Sequence, residues 1–403
     1  MKKYKVLSLD GGGSWAKLQL LTLKERYGNI NGHAILNKFD LVAANSGGSL
    51  VLAALVENWT VSKTLELFNK KDLRESIFSQ NKFKERYFPI DYMRLIGLKF
   101  GPKYSSKRKK MAFDEIFKVG SKTLMSKIPE LIGKKDIQIL VCTYDALNNK
   151  AKIFKSKKDV YNKDDVFLTQ AVHGSSNAPI QYFDYPARFK SKNTNIFFEL
   201  WDGALGGFNN PSSLAIHEAI QLGINPICIH LVSLGTGNKV SSMNSKKAYY
   251  DLKQSSIMSR FSKLKFWTLS KQIKYFKESI LQQAQTILYQ PPDWSNEIAS
   301  TLLFQQHSNY EDKRFIRLSP LIYNNSNFPN NIKSLINSLY ALDMDLASEN
   351  DINLIDSCFE YWKKDLIVNQ PIKFELDRDN NLDSIMGTMK FSEAMTTWKK
   401  YDV

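Results

Sequence analysis

Three short stretches hold residue types that acyl-transfer or anion chemistry requires. Ala43-Ala44-Asn45-Ser46-Gly47-Gly48-Ser49 follows an apolar run and precedes a helical pattern, the setting in which a serine is forced into a sharp strand-to-helix turn with its hydroxyl outward. Ala44 and Gly48, small residues two before and two after it, let strand and helix approach closely. The amides just after the serine lie at a helix N-terminus, where developing negative charge is favoured. A plain turn with a capping serine gives the same pattern. Asp10-Gly11-Gly12-Gly13-Ser14 also stands between a strand and a helix, and its three glycines expose N–H groups to an approaching anion. The competing reading is a phosphate loop. Walker A needs glycine directly before Lys17 and Ser or Thr after it, where Ala16 and Leu18 stand, and Ala16 also takes the last glycine position of the dinucleotide fingerprint. An oxyanion hole fits better. Trp201-Asp202-Gly203-Ala204 closes an apolar strand, where an aspartate is either a turn residue or a carboxylate delivered to the strand-end edge.

The elements that must position these stretches alternate between apolar runs and helical patterns through the first 240 residues, which predicts an α/β sandwich with a largely parallel sheet. Strands are expected at Lys5–Leu9, Phe39–Ala43, Ile137–Cys142, Lys152–Lys155, Ile196–Trp201 and Ile227–Leu234. Helices are expected from Lys17 to Arg26, from Ser49 through Leu50–Asn58, and over Ser213–Gln221. A lysine-rich helical insertion is read at about 60–135 and a polar and aromatic one at 240–300, with Ile372–Leu376 a short strand in a tail, 366–403, expected to dock on the main unit, 1–365. Loops return repeatedly to one sheet edge, where open α/β sheets place their sites.

With 43% apolar residues among 403, the chain can bury a sizeable core. No apolar run reaches the roughly 18 residues that a spanning helix needs, and the first residues lack a secretory h-region. Cys142, Cys228 and Cys358 are far apart, the first two in runs read as buried strands, and buried thiols are expected. Neither a CxxC pair nor a His/Cys cluster with zinc spacing occurs, so no metal and no cofactor is expected. The net charge of +16 attracts polyanions, nucleic acid or an anionic lipid surface. Lys107-Arg108-Lys109-Lys110 is the densest basic run and reads as a solvated face. Residues 260–277, with Phe261, Phe266 and Trp267 among lysines, read as a core-facing amphipathic helix or an interfacial one.

Taken together and in order, these blocks resemble the patatin-like phospholipase family. Ser175-Ser176-Asn177-Ala178-Pro179, Asn209-Asn210-Pro211 and Ser233-Leu234-Gly235-Thr236-Gly237 resemble further family segments, and Arg314–Leu321 resembles a late family strand, so the likeness runs to about residue 365. The resemblance implies a three-layer α/β/α sandwich with a largely parallel central sheet and added helices. It implies a lipid acyl hydrolase of phospholipase A type, with Ser46 as nucleophile, Asp202 as its base and an oxyanion hole from Gly11, Gly12, Gly13 and Gly47. A phospholipid or related lipid ester is the implied substrate, met at a membrane surface, with an activating ligand or protein as a further partner and nucleic acid not expected. The implied location is cytoplasmic, or injected or released without a signal peptide. Three positions depart from the family: Ala44 replaces a glycine, and Trp15 and Ala16 replace the basic residue and glycine that follow the loop, leaving Lys17 the nearest cation. These departures keep open a second reading, a weakly catalytic patatin fold that binds anionic lipid or nucleic acid. A Ser-His-Asp triad would draw on His33, His173, His217, His230 or His307, with His217 the best placed.

Overall fold

Alternation of side chains along the strands divides the interior into two cores. Val6, Leu41, Ala43, Leu140, Ile229 and Leu231 face one way; Leu7, Leu9, Val42, Ala44, Val141, Val232 and Leu234 face the other. Both faces of the sheet are therefore apolar and both must be covered, which makes a three-layer α/β/α molecule. Helices Ser212–Gln221 and Pro292–Phe304 cover the first face, and Lys17–Tyr27 and Ser46–Val56 the second. The computed structural model describes residues 2–79, 102–157, 163–180, 182–240, 292–304, 313–325, 327–346, 348–377 and 381–402. The stretch 260–277 and His307 lie outside the described residues, as do the larger part of the insertion read at 240–300 and residues 80–101 of that read at 60–135.

The main sheet contains β1 (Tyr4–Leu9), β2 (Leu41–Ala44), β3 (Gln138–Asp145), β4 (Lys150–Lys155), β5 (Ala187–Lys190), β6 (Phe197–Asp202), β7 (Ile229–Leu234) and, after the short β8 (Asn238–Lys239), β9 (Phe315–Leu318). The order is β5-β6-β3-β2-β1-β7-β9, with β4 also paired to β3. Strands β3, β2, β1, β7 and β9 run parallel, whereas β4, β5 and β6 join antiparallel. β8 pairs with β10 (Leu321–Ile322), and β11 (Lys373–Leu376) with β12 (Leu382–Met386) makes a separate hairpin.

Register places the functional stretches side by side. Leu9 pairs with both Ala44 and Leu234, Leu234 with Leu318, and Ala44 with Val141. Hence Asp10, Asn45, Gly235 and Ser319 leave the sheet at one level, the carboxyl ends of the parallel strands. Asp202 pairs with Thr143, two residues beyond Val141 on the same strand. The antiparallel β6 thus delivers Asp202 to the edge where β2 delivers Ser46.

Several boundaries differ from expectation. The helix after β2 begins at Ser46 itself rather than at Ser49. β7 begins at Ile229 because Pro226–Cys228 forms a turn of 3-10 helix, which leaves Cys228 only partly buried while Cys142 and Cys358 are buried. After the hairpin a C-terminal helix, Phe391–Lys399, packs Phe391 edge-on against Trp362 at 4.7 Å between ring centroids and buries Trp398.

Candidate active site

The turn from β2 into its helix puts Ser46 at φ 48°, a conformation that costs a non-glycine residue energy and is held by its surroundings. The Ser46 N–H donates to Ser175 Oγ at 2.9 Å, and the Ser46 carbonyl accepts from Ser49 Oγ at 2.6 Å. Close packing beneath it explains the following glycine: a Cβ on Gly47 would stand 2.3 Å from the Gly13 carbonyl. Ala44 is fully buried and closely packed, so its methyl group is accommodated without opening the turn.

Asp202 is 2% exposed, and its carboxylate is surrounded by neutral donors. Oδ1 accepts from the Ala204 N–H at 2.9 Å and from Asn45 Nδ2 at 3.1 Å, and the Ser46 hydroxyl stands near enough to favour the charged carboxylate. Burial raises the Asp202 pKa above the ordinary carboxylate value; the nearby Ser46 hydroxyl, the hydrogen bonds from Ala204 and Asn45 and the charge of Lys109 oppose the rise. The sequence gives Asn45 no role beyond its place in the turn, yet it orients this carboxylate and accepts from Ser175 Oγ at 3.4 Å. Among the described residues no histidine bonds to Asp202. His217, expected as the best placed for a triad, is exposed on its helix, and the buried His173 bonds to Ser106 Oγ at 3.1 Å.

The glycine loop approaches Ser46 from β1. Gly12 has φ 151° and a Cβ there would come within 2.1 Å of Thr236 Oγ1, so glycine is required at this position. The structure narrows the expected donor set. The Gly11 N–H is taken by the Asn209 carbonyl at 2.7 Å, and Thr236 Oγ1 donates to the Gly11 carbonyl at 2.6 Å, so Gly11 anchors the loop instead of facing an oxyanion. The N–H groups of Gly12, Gly13 and Gly47 make no hydrogen bond among the described residues.

Loop support comes from residues without a recognisable motif. Ser14 N–H donates to the Met344 carbonyl at 2.9 Å, and the Trp15 indole N–H donates to the Asp343 carbonyl at 3.0 Å. Lys239 Nζ stands 4.7 Å from the Trp15 ring centroid and donates to the Leu342 carbonyl at 2.6 Å. Lys17 is buried and pairs with Asp356, so this cation serves the helix Glu349–Lys363, not the loop. Asp10, at the loop's start, forms a buried ion pair with Arg317 at 2.7 Å. Burial pushes the Asp10 carboxyl up to about 6 even though the guanidinium acts the other way.

Ser46, Gly13 and Gly47 line a small cavity of about 30 Å³ together with Leu50, Phe78, Lys109, Tyr182, Phe183 and Met344. Lys109 corrects the reading of its basic tract. Lys107 is exposed, whereas Lys109 is buried on the inward face of the helix Ser106–Ile116, in line with Ala112 and Phe113. The spacing 109, 112, 113 was the available signal, masked by the charge of the neighbours. At the cavity rim Lys103 Nζ bonds to Asp343 at 2.8 Å and Asp345 at 3.0 Å, Tyr104 donates to Asp345, and Tyr182 donates to Asp343 at 2.5 Å. Among the described residues no group of three or more His, Cys, Asp or Glu gathers as a metal site would.

Residues 7–216 match the sequence profile of a family described as Patatin-like phospholipase, just over half of the 403 residues. No curated protein matches the sequence. Among solved structures, the crystal structure of VipD from Legionella pneumophila is similar at 13% identity and a TM-score of 0.35, over 88% of this chain and 67% of that one. A likeness of that strength carries no argument by itself.

Proposed function

The chain belongs to the patatin-like phospholipase family, whose members hydrolyse acyl esters of lipids, and from that premise we propose that it is a serine hydrolase of phospholipase A type working through a Ser46–Asp202 dyad. The observation that carries this reading is the Ser46 hydroxyl brought beside a buried carboxylate whose hydrogen-bond partners, Asn45 and the Ala204 N–H, are neutral. A carboxylate in that company can take the serine proton.

In the proposed reaction Ser46 Oγ attacks the ester carbonyl as its proton passes to Asp202. The oxyanion of the tetrahedral intermediate is met by the N–H groups of Gly12, Gly13 and Gly47, each worth about 3 kcal/mol of barrier in comparable sites. Collapse breaks the ester C–O bond, and the departing alcohol takes the proton from Asp202. Water, deprotonated by the same carboxylate, then attacks the acyl-enzyme; the proton returns to Ser46 and the fatty acid leaves. No histidine is needed. The net charge of +16 supports docking at an anionic lipid surface, where each nearby Lys or Arg contributes about 1 kcal/mol.

A fluorophosphonate probe and a p-nitrophenyl acyl ester test the dyad. Labelling and turnover are expected in the wild type and lost in Ser46→Ala, with turnover lost in Asp202→Asn. Turnover that survives both substitutions would remove the dyad.

A further inference from the structure

The site contains a buried lysine that the proposed reaction does not use. Lys109 is 1% exposed and lines the same cavity as Ser46, Gly13 and Gly47. Its Nζ donates to the Ser176 carbonyl, one residue from the Ser175 hydroxyl that holds the Ser46 N–H, and stands 4.0 Å from the Phe183 ring centroid. No carboxylate pairs with it among the described residues, in contrast to Lys17, the other fully buried lysine, which has Asp356. The carboxylate lining the cavity, Asp345, is already committed to Lys103 and Tyr104. An ammonium has three donors, and taking it out of water without a counter-ion is costly. A buried amine with donors to spare can receive an anion that enters the cavity.

We propose that Lys109 is a specificity residue that receives the phosphate of a phospholipid beside the ester attacked by Ser46, so that the site selects phosphate-bearing esters over neutral ones. This rests on the Ser46–Asp202 reading and names the substrate class of that site. The phosphodiester of a glycerophospholipid lies within a few bonds of both acyl esters, so a lipid presenting its carbonyl to Ser46 brings a phosphate oxygen toward the wall that Lys109 contributes. Trp15 and Ala16, standing where the family's loop has a basic residue and a glycine, leave that loop without a cation of its own, while Lys109 supplies one from a different element. Burial pushes the Lys109 amine well below its ordinary value, with Asp202 the one neighbouring charge that acts against the fall. A phosphate monoanion restores the charged form, and a neutral ester gives no such return.

The experiment compares kcat/KM for phosphatidylcholine and for diacylglycerol with the same acyl chains, both in neutral-detergent mixed micelles so that surface charge is constant. The wild type is expected to favour the phospholipid by about tenfold or more, the range of a hydrogen bond to a charged group. Lys109→Met should lower that ratio about tenfold, chiefly through KM, and Lys109→Arg should keep most of it. Lys110→Met, which removes the next cation along the helix and its pair with Asp114, should leave the ratio at the wild-type value. A wild type that hydrolyses both lipids alike overturns the proposal without any variant. So does a ratio unchanged in a folded Lys109→Met, or one that falls equally in Lys109→Arg and Lys109→Met. Inorganic phosphate added to the p-nitrophenyl ester assay separates the sources: inhibition of the wild type but not of Lys109→Met, with no change in the lipid ratio, would mean that Lys109 takes free phosphate and does not select the substrate. Ester turnover abolished by Ser46→Ala with no Lys109-dependent ratio sinks this inference alone. Absence of turnover on every ester sinks the dyad as well.

Discussion

Asp10 and Asp202 stand on the same sheet edge, each at the end of a strand, each followed by glycine and each 2% exposed. They differ in company. Asp10 faces a guanidinium, and Arg317 is itself held by Ser233 Oγ at 2.7 Å and by Gln370. Asp202 faces a hydroxyl, an amide side chain and a backbone N–H. Burial raises the pKa of both. A carboxylate locked to a buried cation is an anchor, since moving its proton would leave the cation unpaired. One surrounded by neutral donors can give and take a proton within the same geometry. Sequence context alone cannot tell them apart, because both read as Asp-Gly after an apolar strand.

The largest expected effect lies on the Asp202 side of this contrast. Ser46→Ala and Asp202→Asn should each lower kcat on an acyl ester by at least about 10³-fold, and the double variant should lose little more, as for residues acting as a unit. The contrast breaks if Asp202→Asn costs less than tenfold. On the Asp10 side the expected loss is of stability. Arg317→Met leaves a buried carboxylate without its cation and should cost about 3 kcal/mol in chemical denaturation. Its sign with pH can be followed. A carboxyl raised in the folded state, here to about 6, keeps its proton while the unfolded chain gives it up, so its contribution to stability falls as pH rises from about 4 to about 6 and is level above. Without Arg317 that decline should continue above pH 6.

Gly12→Ala tests whether the loop that Asp10 anchors matters for chemistry. With φ at 151° and Thr236 Oγ1 in the way, it should lose about 10²-fold in kcat with Ser46 still in place. The smallest effect sharpens the Asp202 side again. The base must be ionised, so kcat/KM should rise with pH and level off, with a midpoint above the ordinary carboxylate value of about 3.9. Removing a donor to the charged form, in Asn45→Ala, should move that midpoint further up.

Much of the fold was legible because its signals are local. Glycine-punctuated apolar runs marked β1, β2 and β7, and alternation divided their residues between two cores. Ser46 and Asp202 were legible as strand-end residues, and register converts that into proximity through β3, which pairs with Ala44 and Asp202 two residues apart. What escaped depends on contacts that have no residue signature. Met344 and Asp343 hold the loop through carbonyl oxygens, which any residue supplies. Gly11 was indistinguishable from Gly12 and Gly13 until Asn209 took its N–H. Lys109 was hidden because a run of four basic residues reads as exposed, although helical period turns one of the four inward.

The clamp on the glycine loop is assembled from chain that lies beyond the matched stretch. Arg317, Asp343, Met344 and the edge strand β9 all follow residue 216. The motif-bearing segment is therefore a sentence whose grammar is completed elsewhere. Substitution in the later half can reshape the glycine loop without altering one of its residues, and a fragment ending near residue 240 would carry the glycine loop, the serine turn and Asp202 while lacking the parts that hold them in shape.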